Sequence, residues 1–298
     1  MLQLVGFRHN FTNFVRNDVG LVVVACPRMF HNNNARIMVK AKIGKHTVEI
    51  YDAIDELPIV RFHRYQKLLL IDAGVGSDIV AFDQRTEKMR RYLMDGKTEN
   101  AQKELENLRQ SVFFIQNEFS PKHRAFAALV AKIDGRECND LSDVALLRIT
   151  EELKDAPVNE LTAQLEAVKK KIDEELRTYF PQLFADSQIK EYFDLLKKRT
   201  LGILKNIVDG VERPDATPEI EKLTSALITY SNPKTFGGPE SAEIQFDRQF
   251  ENLCLVLSEQ LHVKPKDYTV LEFYNAFDFV QERAKQAEKA QKRANKPR

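Results

Sequence analysis

The sequence has no tryptophan, only three cysteines and almost no net charge. Cys26, Cys138 and Cys254 lie far apart, and an odd number of cysteines without CxxC spacing argues against a disulfide framework or a zinc site. The 45 basic and 44 acidic residues leave no global imbalance that would point to nucleic acid or membrane as a partner. At 298 residues, the chain is long enough to bury a core without disulfides.

Long apolar runs are also missing. The run at residues 21–25 is far shorter than the ~20 residues of a membrane-spanning helix. Asp18 precedes it, where a signal peptide carries positive charge. A signal peptide and a lipoprotein-type site ending at Cys26 both fit poorly, so we expect neither signal-peptide secretion nor membrane association. The arginine- and asparagine-rich segment 1–37 differs from the lysine- and glutamate-rich remainder, and we hypothesise that translation starts at Met38. A native mass that includes residues 1–37 would contradict this.

Apolar residues recur at alternating spacings of three and four along much of the chain. This spacing keeps one apolar stripe on one side of a helix and favours long helices packed at shallow angles. The stripes run through Ala101, Leu105, Leu108, Val112, Ile115 and Phe119; Leu161, Leu165, Val168, Ile172, Glu175 and Tyr179; Ile189, Phe193, Leu196, Thr200, Ile203 and Ile207; and Phe246, Phe250, Leu253 and Leu257. Residues 39–50 alternate around Gly44-Lys45 and predict a hairpin. The fold class is therefore mainly α, a bundle of long amphipathic helices with a small N-terminal β-hairpin.

Other helices are predicted from capping and turn residues. Pro58 opens a helix over residues 59–72, Ser77 or Asp78 caps one that ends near Met94, and shorter helices occupy 122–133 and 142–153. Turn-rich breaks lie at 209–218 and 231–239. We predict an atypical segment 1–37, a hairpin and helical domain 38–180, and a C-terminal helical domain 181–298, with the boundary near Pro181.

The sequence offers few candidates for catalysis. The segment LLLIDAGVGSD at 68–78 resembles a strand before a glycine-rich phosphate loop, but it lacks both GxGxxG spacing and a following GKS or GKT. The six histidines form no HxxxH or HxH pair, so we assign no metal, cofactor or catalytic residue. Carboxylates such as Glu104 are expected to solubilise helix faces. Arg61, His63 and Arg64 form either an anion-binding cluster or, the interpretation that we favour, a surface patch bonded to carboxylates.

The last predicted helix begins with large apolar residues and ends with basic ones. Its stripe is Val270, Phe273, Tyr274, Phe277 and Val280, and it is followed by alanines and by Arg283, Lys285, Lys289, Lys292 and Arg293. The basic residues form either a nucleic-acid-binding arm or a solvated helix end that suits the negative end of the helix dipole. We favour the solvated end, because no aromatic residues alternate with the basic ones.

Residues 57–78, LPIVRFHRYQKLLLIDAGVGSD, with Phe82-Asp83, and residues 268–277, YTVLEFYNAF, resemble uncharacterised proteins from the virion-structure gene block of tailed phages of gut bacteria, including crAss-like phages. The resemblance implies a non-enzymatic virion component or tail-assembly chaperone, located in the virion or host cytoplasm. Its partners would be other phage structural proteins, and it could form oligomers. Its expected contact points are helix faces, the loop 231–239, and Arg61, His63, Arg64, Gly74, Gly76, Ser77 and Asp78.

Two alternatives belong to other functional classes. A nucleic-acid-associated protein would bind through the basic C-terminal arm, and its binding would weaken steeply with salt. A nucleotide-binding enzyme would use the loop from Gly74 to Ser77, and ATP, GTP or NAD would raise its melting temperature.

Overall fold

The computed structural model of the protein describes residues 38–184, 187–230 and 232–294. Over these residues the chain is mainly α-helical, as the apolar spacing predicts. Segment 1–37, which precedes the hypothesised start at Met38, lies outside the described residues. The helices are α1 (Ile59–Val75), α2 (Ile79–Met94), α3 (Thr98–Gln116), α4 (Pro121–Leu129), α5 (Asp143–Glu152), α6 (Val158–Tyr179), α7 (Ser187–Val208), α8 (Pro218–Ile228), α9 (Ala242–Leu261) and α10 (Val270–Ala294).

The predicted N-terminal hairpin is present, and it is part of a larger sheet. Strands β1 (Val39–Ile43) and β2 (His46–Ile50) pair antiparallel, and β2 then pairs with β3 (Val130–Ile133), which pairs with β4 (Arg136–Glu137). The order in the antiparallel sheet is β1-β2-β3-β4. Alternate residues such as Ile43, Val48 and Ile50 are buried, so one face of the sheet packs on the helices.

Strand β3 corrects the helix predicted at 122–133. The helix there ends at Leu129, and the chain continues as an extended strand. Asp134 and Gly135 both have positive φ, 49° and 83°, as expected of a tight turn that joins two antiparallel strands. The Asp-Gly pair after an apolar run is the sequence signal for this hairpin, and the helical interpretation overlooked it.

Helix α1 lies at the centre of the fold and packs against α3, α4, α9 and α10. The stripe of α6 is buried from Leu161 through Ile172, but its last turn buries Leu176 and leaves Tyr179 exposed. The α10 residues Val270, Phe273, Phe277 and Val280 are also buried, as predicted. All of these buried side chains belong to one hydrophobic cluster, which extends across the boundary predicted near Pro181.

Two predicted caps are confirmed. The Asp78 side chain accepts a hydrogen bond from the Ala81 amide at 2.7 Å, and the Ser142 hydroxyl accepts one from the Ala145 amide at 3.3 Å. Each satisfies a backbone amide that the first turn of a helix leaves without a helical partner. These bonds fix the starts of α2 and α5.

Helix α3 buries only part of the stripe that its spacing predicts, at Ala101 and Leu108. Leu105 and Val112 are 42% and 39% exposed. The buried face is rotated toward Glu104, Asn107 and Ser111. The rotation follows from polar pairing, because α2 and the loop before α9 supply partners for Glu104 and Asn107.

Candidate interaction surfaces

Arg61 is a structural residue of the core, which corrects its prediction as a surface contact. It is only 5% exposed, and its guanidinium donates to the carbonyl oxygens of Ala128 at 3.2 Å, Val130 at 3.0 Å and Cys138. Burial lowers the pKa of Arg61. The side chain therefore joins α1 to the end of α4 and to the β3–β4 pair.

His63 belongs to α1, and its side chain packs against α9. Its ring stacks on Phe246 and Phe250, with ring centroids 4.5 and 4.1 Å away, and its Nε2 is 2.9 Å from Oδ1 of Asp247. Burial lowers the pKa of His63. Burial also opposes ionisation of Asp247, but the hydrogen bonds from Lys67 and His63 outweigh it and lower the pKa of that carboxyl.

Arg64 pairs with Asp143 in the first turn of α5. His63 and Arg64 are thus bonded to carboxylates, as we favoured, and the carboxylates belong to neighbouring helices of the same chain. Their charges serve packing of α1 against α5 and α9.

The glycine-rich break at residues 74–78, which was predicted to be an exposed contact point, is largely packed against the loop before α9. A Cβ on Gly74 would stand 1.8 Å from Cζ of Phe236. Val75, Phe236 and Ala242 form a small buried cluster there. Gly76 is buried and has φ +77°, a conformation that favours glycine, where α1 ends. Packing against Phe236 explains the glycine at position 74, and the positive φ at the end of α1 explains the glycine at position 76.

The remaining residues of the break are tied to local structure. The Ser77 hydroxyl donates to Oδ1 of Asp72 at 3.4 Å, and Asp78 is an exposed helix cap. In the loop 231–239, Ser231 lies outside the described residues. Pro233 and Phe236 are buried, whereas Gly237, Gly238 and Pro239 are exposed. The prediction of an exposed contact point therefore fits only part of this loop, since Asn232 and Lys234 are exposed as well as its tip.

The interface between α2 and α3 contains a buried ionic cluster that the sequence interpretation missed. Glu104 is fully buried, and its carboxylate lies 3.0 Å from Nη1 of Arg85 and 3.2 Å from Nζ of Lys88. Asn107 donates to the carbonyl oxygen of Lys234 at 2.9 Å. The prediction that Glu104 solubilises a helix face is therefore wrong.

The basic end of α10 is exposed, and several of its charges are engaged within the helix. Lys285 lies 3.6 Å from Glu282, Lys292 lies 2.5 Å from Glu288, and the Arg283 guanidinium lies 5.7 Å from the centre of the Phe279 ring. Lys289 is exposed, and the side chain of Arg293 lies outside the described residues. Such i,i+3 and i,i+4 pairs reduce the net positive charge that this stretch of helix presents.

Helices α7 and α8 pack against each other as a helical hairpin. A Cβ on Gly202 would stand 2.6 Å from Cδ1 of Ile220, so the glycine lets α8 approach closely. Arg199 reinforces the contact by donating through Nε to Oγ1 of Thr224 at 2.8 Å. One side of α7 is therefore fixed to α8.

The other side of α7 carries a row of exposed large apolar residues, which we call the α7 apolar face. Its members are 53% to 85% exposed: Phe193, Leu201, Leu204, Ile207 and Val208. The stripe predicted for this helix included Phe193, Thr200 and Ile207 as buried positions, and the structure leaves all three exposed. Helix α7 is apolar on two sides, and the spacing alone did not distinguish the partnered side from the open one.

A surface depression is a further candidate site among the described residues. A shallow depression between α2 and α8 is lined by Asp83, Gln84, Glu87, Lys88 and Ile228. Hydrogen bonds from Arg90 and Arg91 lower the pKa of Glu87 to about 2, although its limited burial acts the other way. This carboxylate is ionised at neutral pH and does not suit a general acid.

Within the described part of the chain, no three His, Cys, Asp or Glu side chains are grouped as metal ligands. Its helices include none that is long and apolar enough to cross a membrane. Comparison with known proteins found no matching family model, no similar curated protein and no similar solved structure.

Proposed function

We propose that this chain is a non-enzymatic structural or assembly protein of a tailed bacteriophage, in the virion or the host cytoplasm, that contacts other phage structural proteins through its helices. The α7 apolar face is the single observation that carries the proposal. It places five large apolar side chains on one helix, each at least half exposed. Contiguous exposed apolar surface on this scale is typical of protein interaction sites.

The setting of this face supports a docking role. Gly202 and Ile220 fix the opposite side of α7 to α8, so the exposed side chains are presented on a packed element. A preorganised helix loses less conformational freedom on binding than a segment that must fold on its partner. Helices of this kind dock by placing an apolar stripe in the groove of a partner.

The charged clusters are consistent with a non-enzymatic role. Glu104, Asp143 and Asp247 each neutralise cations between packed helices. A carboxylate held in this way stabilises tertiary contacts and is not arranged beside a nucleophile. The assignment to tailed phages rests on the resemblance of residues 57–78 with Phe82-Asp83, and of residues 268–277.

The test is to locate the protein during infection by its source phage. A tagged chain would be expressed, particles purified on a density gradient, and particle and pull-down fractions analysed by mass spectrometry. We expect the chain in purified particles or in a complex with an identified capsid, portal or tail protein. Its absence from particles, together with capture of no phage structural protein, would refute the proposal.

A further inference from the structure

We propose that the α7 apolar face binds the same face of a second copy of this chain, with the two α7 helices antiparallel. This inference deepens the proposed function, on which it rests, because it names the occupant of the same surface. A two-fold contact uses one patch twice, so the patch must be complementary to itself in area, shape and charge.

The exposed area is sufficient for a symmetric contact. Side chains of this size that are half exposed present on the order of 100 Å² each, since an aromatic side chain buries about 150–250 Å² in full. The five residues of the α7 apolar face thus provide roughly 500 Å² per copy. Complete burial of both faces would remove about 1,000 Å² from water, which is the minimum for a biological interface and the size of a weak one.

Two of the charges beside the stripe are complementary under antiparallel pairing. Asp194 and Lys205 are both exposed. They are eleven residues apart, which is close to three full turns, so they lie on the same side of α7 and about 16 Å apart along it. A two-fold axis near Thr200 places Asp194 of each copy opposite Lys205 of the other. Parallel pairing would instead place these two residues of one copy on the side of the stripe away from those of the other copy, so neither pair would form.

The apolar residues fit the same axis. Phe193 and Ile207 are equidistant from Thr200 along the helix, so each Phe193 meets the Ile207 of the other copy. Thr200 is small, and its hydroxyl already donates to the Leu196 carbonyl oxygen at 3.0 Å, so burying it leaves no polar group unpaired. Lys197 lies within the stripe, and its aliphatic stem covers apolar surface while the ammonium reaches water.

The experiment measures the mass of the full chain by sedimentation equilibrium up to about 100 µM, a range that detects weak dimers. We expect twice the single-chain mass of 34.4 kDa at the upper concentrations. Leu204→Asp should raise the Kd at least about tenfold, because the dimer would bury two carboxylates without partners. The matched control is Leu255→Asp on α9, which changes an exposed leucine outside the stripe and should leave the Kd unchanged.

Charge variants test the antiparallel arrangement. Asp194→Lys and Lys205→Asp should each weaken self-association, because each places like charges opposite one another. An equimolar mixture of the two variants should associate more tightly than either alone, since both contacts then pair opposite charges. Circular dichroism of every variant verifies that the helices are intact.

Three results would overturn the inference: a monomer throughout the concentration range, a dimer that Leu204→Asp leaves unchanged, or a mixture no tighter than its components. Failure here is distinguishable from failure of the proposed function. A monomer that still enters particles contradicts only the self-association, whereas a dimer that is absent from particles and binds no phage structural protein contradicts only the phage role.

Discussion

Replacing Gly74 tests whether the GVGSD break is a packing feature. An alanine Cβ at this position would stand 1.8 Å from Cζ and 1.9 Å from Cε2 of Phe236. Carbon atoms in favourable contact are about 3.5–4.0 Å apart, so the ring or its loop must move by roughly 2 Å. Overpacking of this kind costs about 1–3 kcal/mol, whereas alanine gains about 1 kcal/mol over glycine within a helix. We therefore expect Gly74→Ala to lower the free energy of unfolding by up to about 2 kcal/mol.

Removing the ring should reverse the sign of this effect. Phe236→Ala alone should cost about 3 kcal/mol, the lower end of the range for phenylalanine, because its fully buried cluster is small. In that background the Cβ at position 74 meets open space, and Gly74→Ala should stabilise the protein by about 0.5–1 kcal/mol. The resulting coupling free energy equals the overpacking cost of about 1–3 kcal/mol, which lies within the range of values for residues in contact.

The assay is urea unfolding of the four proteins of this double-mutant cycle, followed by circular dichroism. Phe279→Ala on α10 is the matched control, because Phe279 is 44% exposed and lies on another helix. In that background Gly74→Ala should cost what it costs in the wild type. If Gly74→Ala is equally destabilising with and without the Phe236 ring, the ring is not the reason for glycine at position 74, and the packing explanation fails.

Three further predictions concern the predicted contact residues. Arg61→Met should lower the free energy of unfolding by about 3 kcal/mol, because it leaves buried carbonyl oxygens without hydrogen-bond donors. Urea unfolding measures this change, and a value below about 0.5 kcal/mol would contradict the structural role of Arg61. Burial lowers the pKa of His63 below its ordinary 6.5, so the unfolded chain binds the additional proton and stability falls as pH drops through 6.5 toward the folded value. The lowered pKa of Asp247 adds stability that is lost only at more acidic pH. His63→Gln should therefore flatten the pH dependence of stability as the pH falls through 6.5, as measured by urea unfolding at each pH. A chain that ends at Glu282 should have a melting temperature within about 1 °C of that of the full chain, since the removed turns are exposed. If the full chain binds DNA in a salt-sensitive way and this variant does not, the result would favour the nucleic-acid alternative.

Periodicity was most informative where a helix buries a purely apolar side. The α6 stripe from Leu161 to Ile172 and the α10 residues around Phe273 are buried as predicted, apart from the last turn of α6. Local capping was equally readable, because Asp78 bonds an amide only three residues away. These features depend on neighbours in sequence, and a spacing rule captures them directly.

Features that depend on distant residues were missed. Glu104 is buried because Arg85 and Lys88 on α2 neutralise it, and no spacing within α3 encodes that partner. Gly74 was interpreted as part of a glycine-rich phosphate loop. The reason for glycine at this position is the ring of Phe236, and that residue lies far along the chain, where local sequence gives no sign of the contact. The candidate contact residues Arg61 and His63 were assigned to the surface for the same reason: their partners lie on other elements.

The burial of helix α7 depends both on its local apolar spacing and on partners that are distant in sequence. Its spacing predicts one buried stripe, yet within the described residues the side of α7 that packs is the one toward α8, and the predicted stripe residues Phe193, Thr200 and Ile207 are exposed. Gly202 accommodates Ile220, so the α8 contact is close and does not require the open side. Side chains such as Leu204, which is 53% exposed, gain only part of their transfer free energy when the monomer folds. The remainder becomes available only when a partner covers them, and this makes the α7 apolar face a stronger functional candidate than the glycine-rich break.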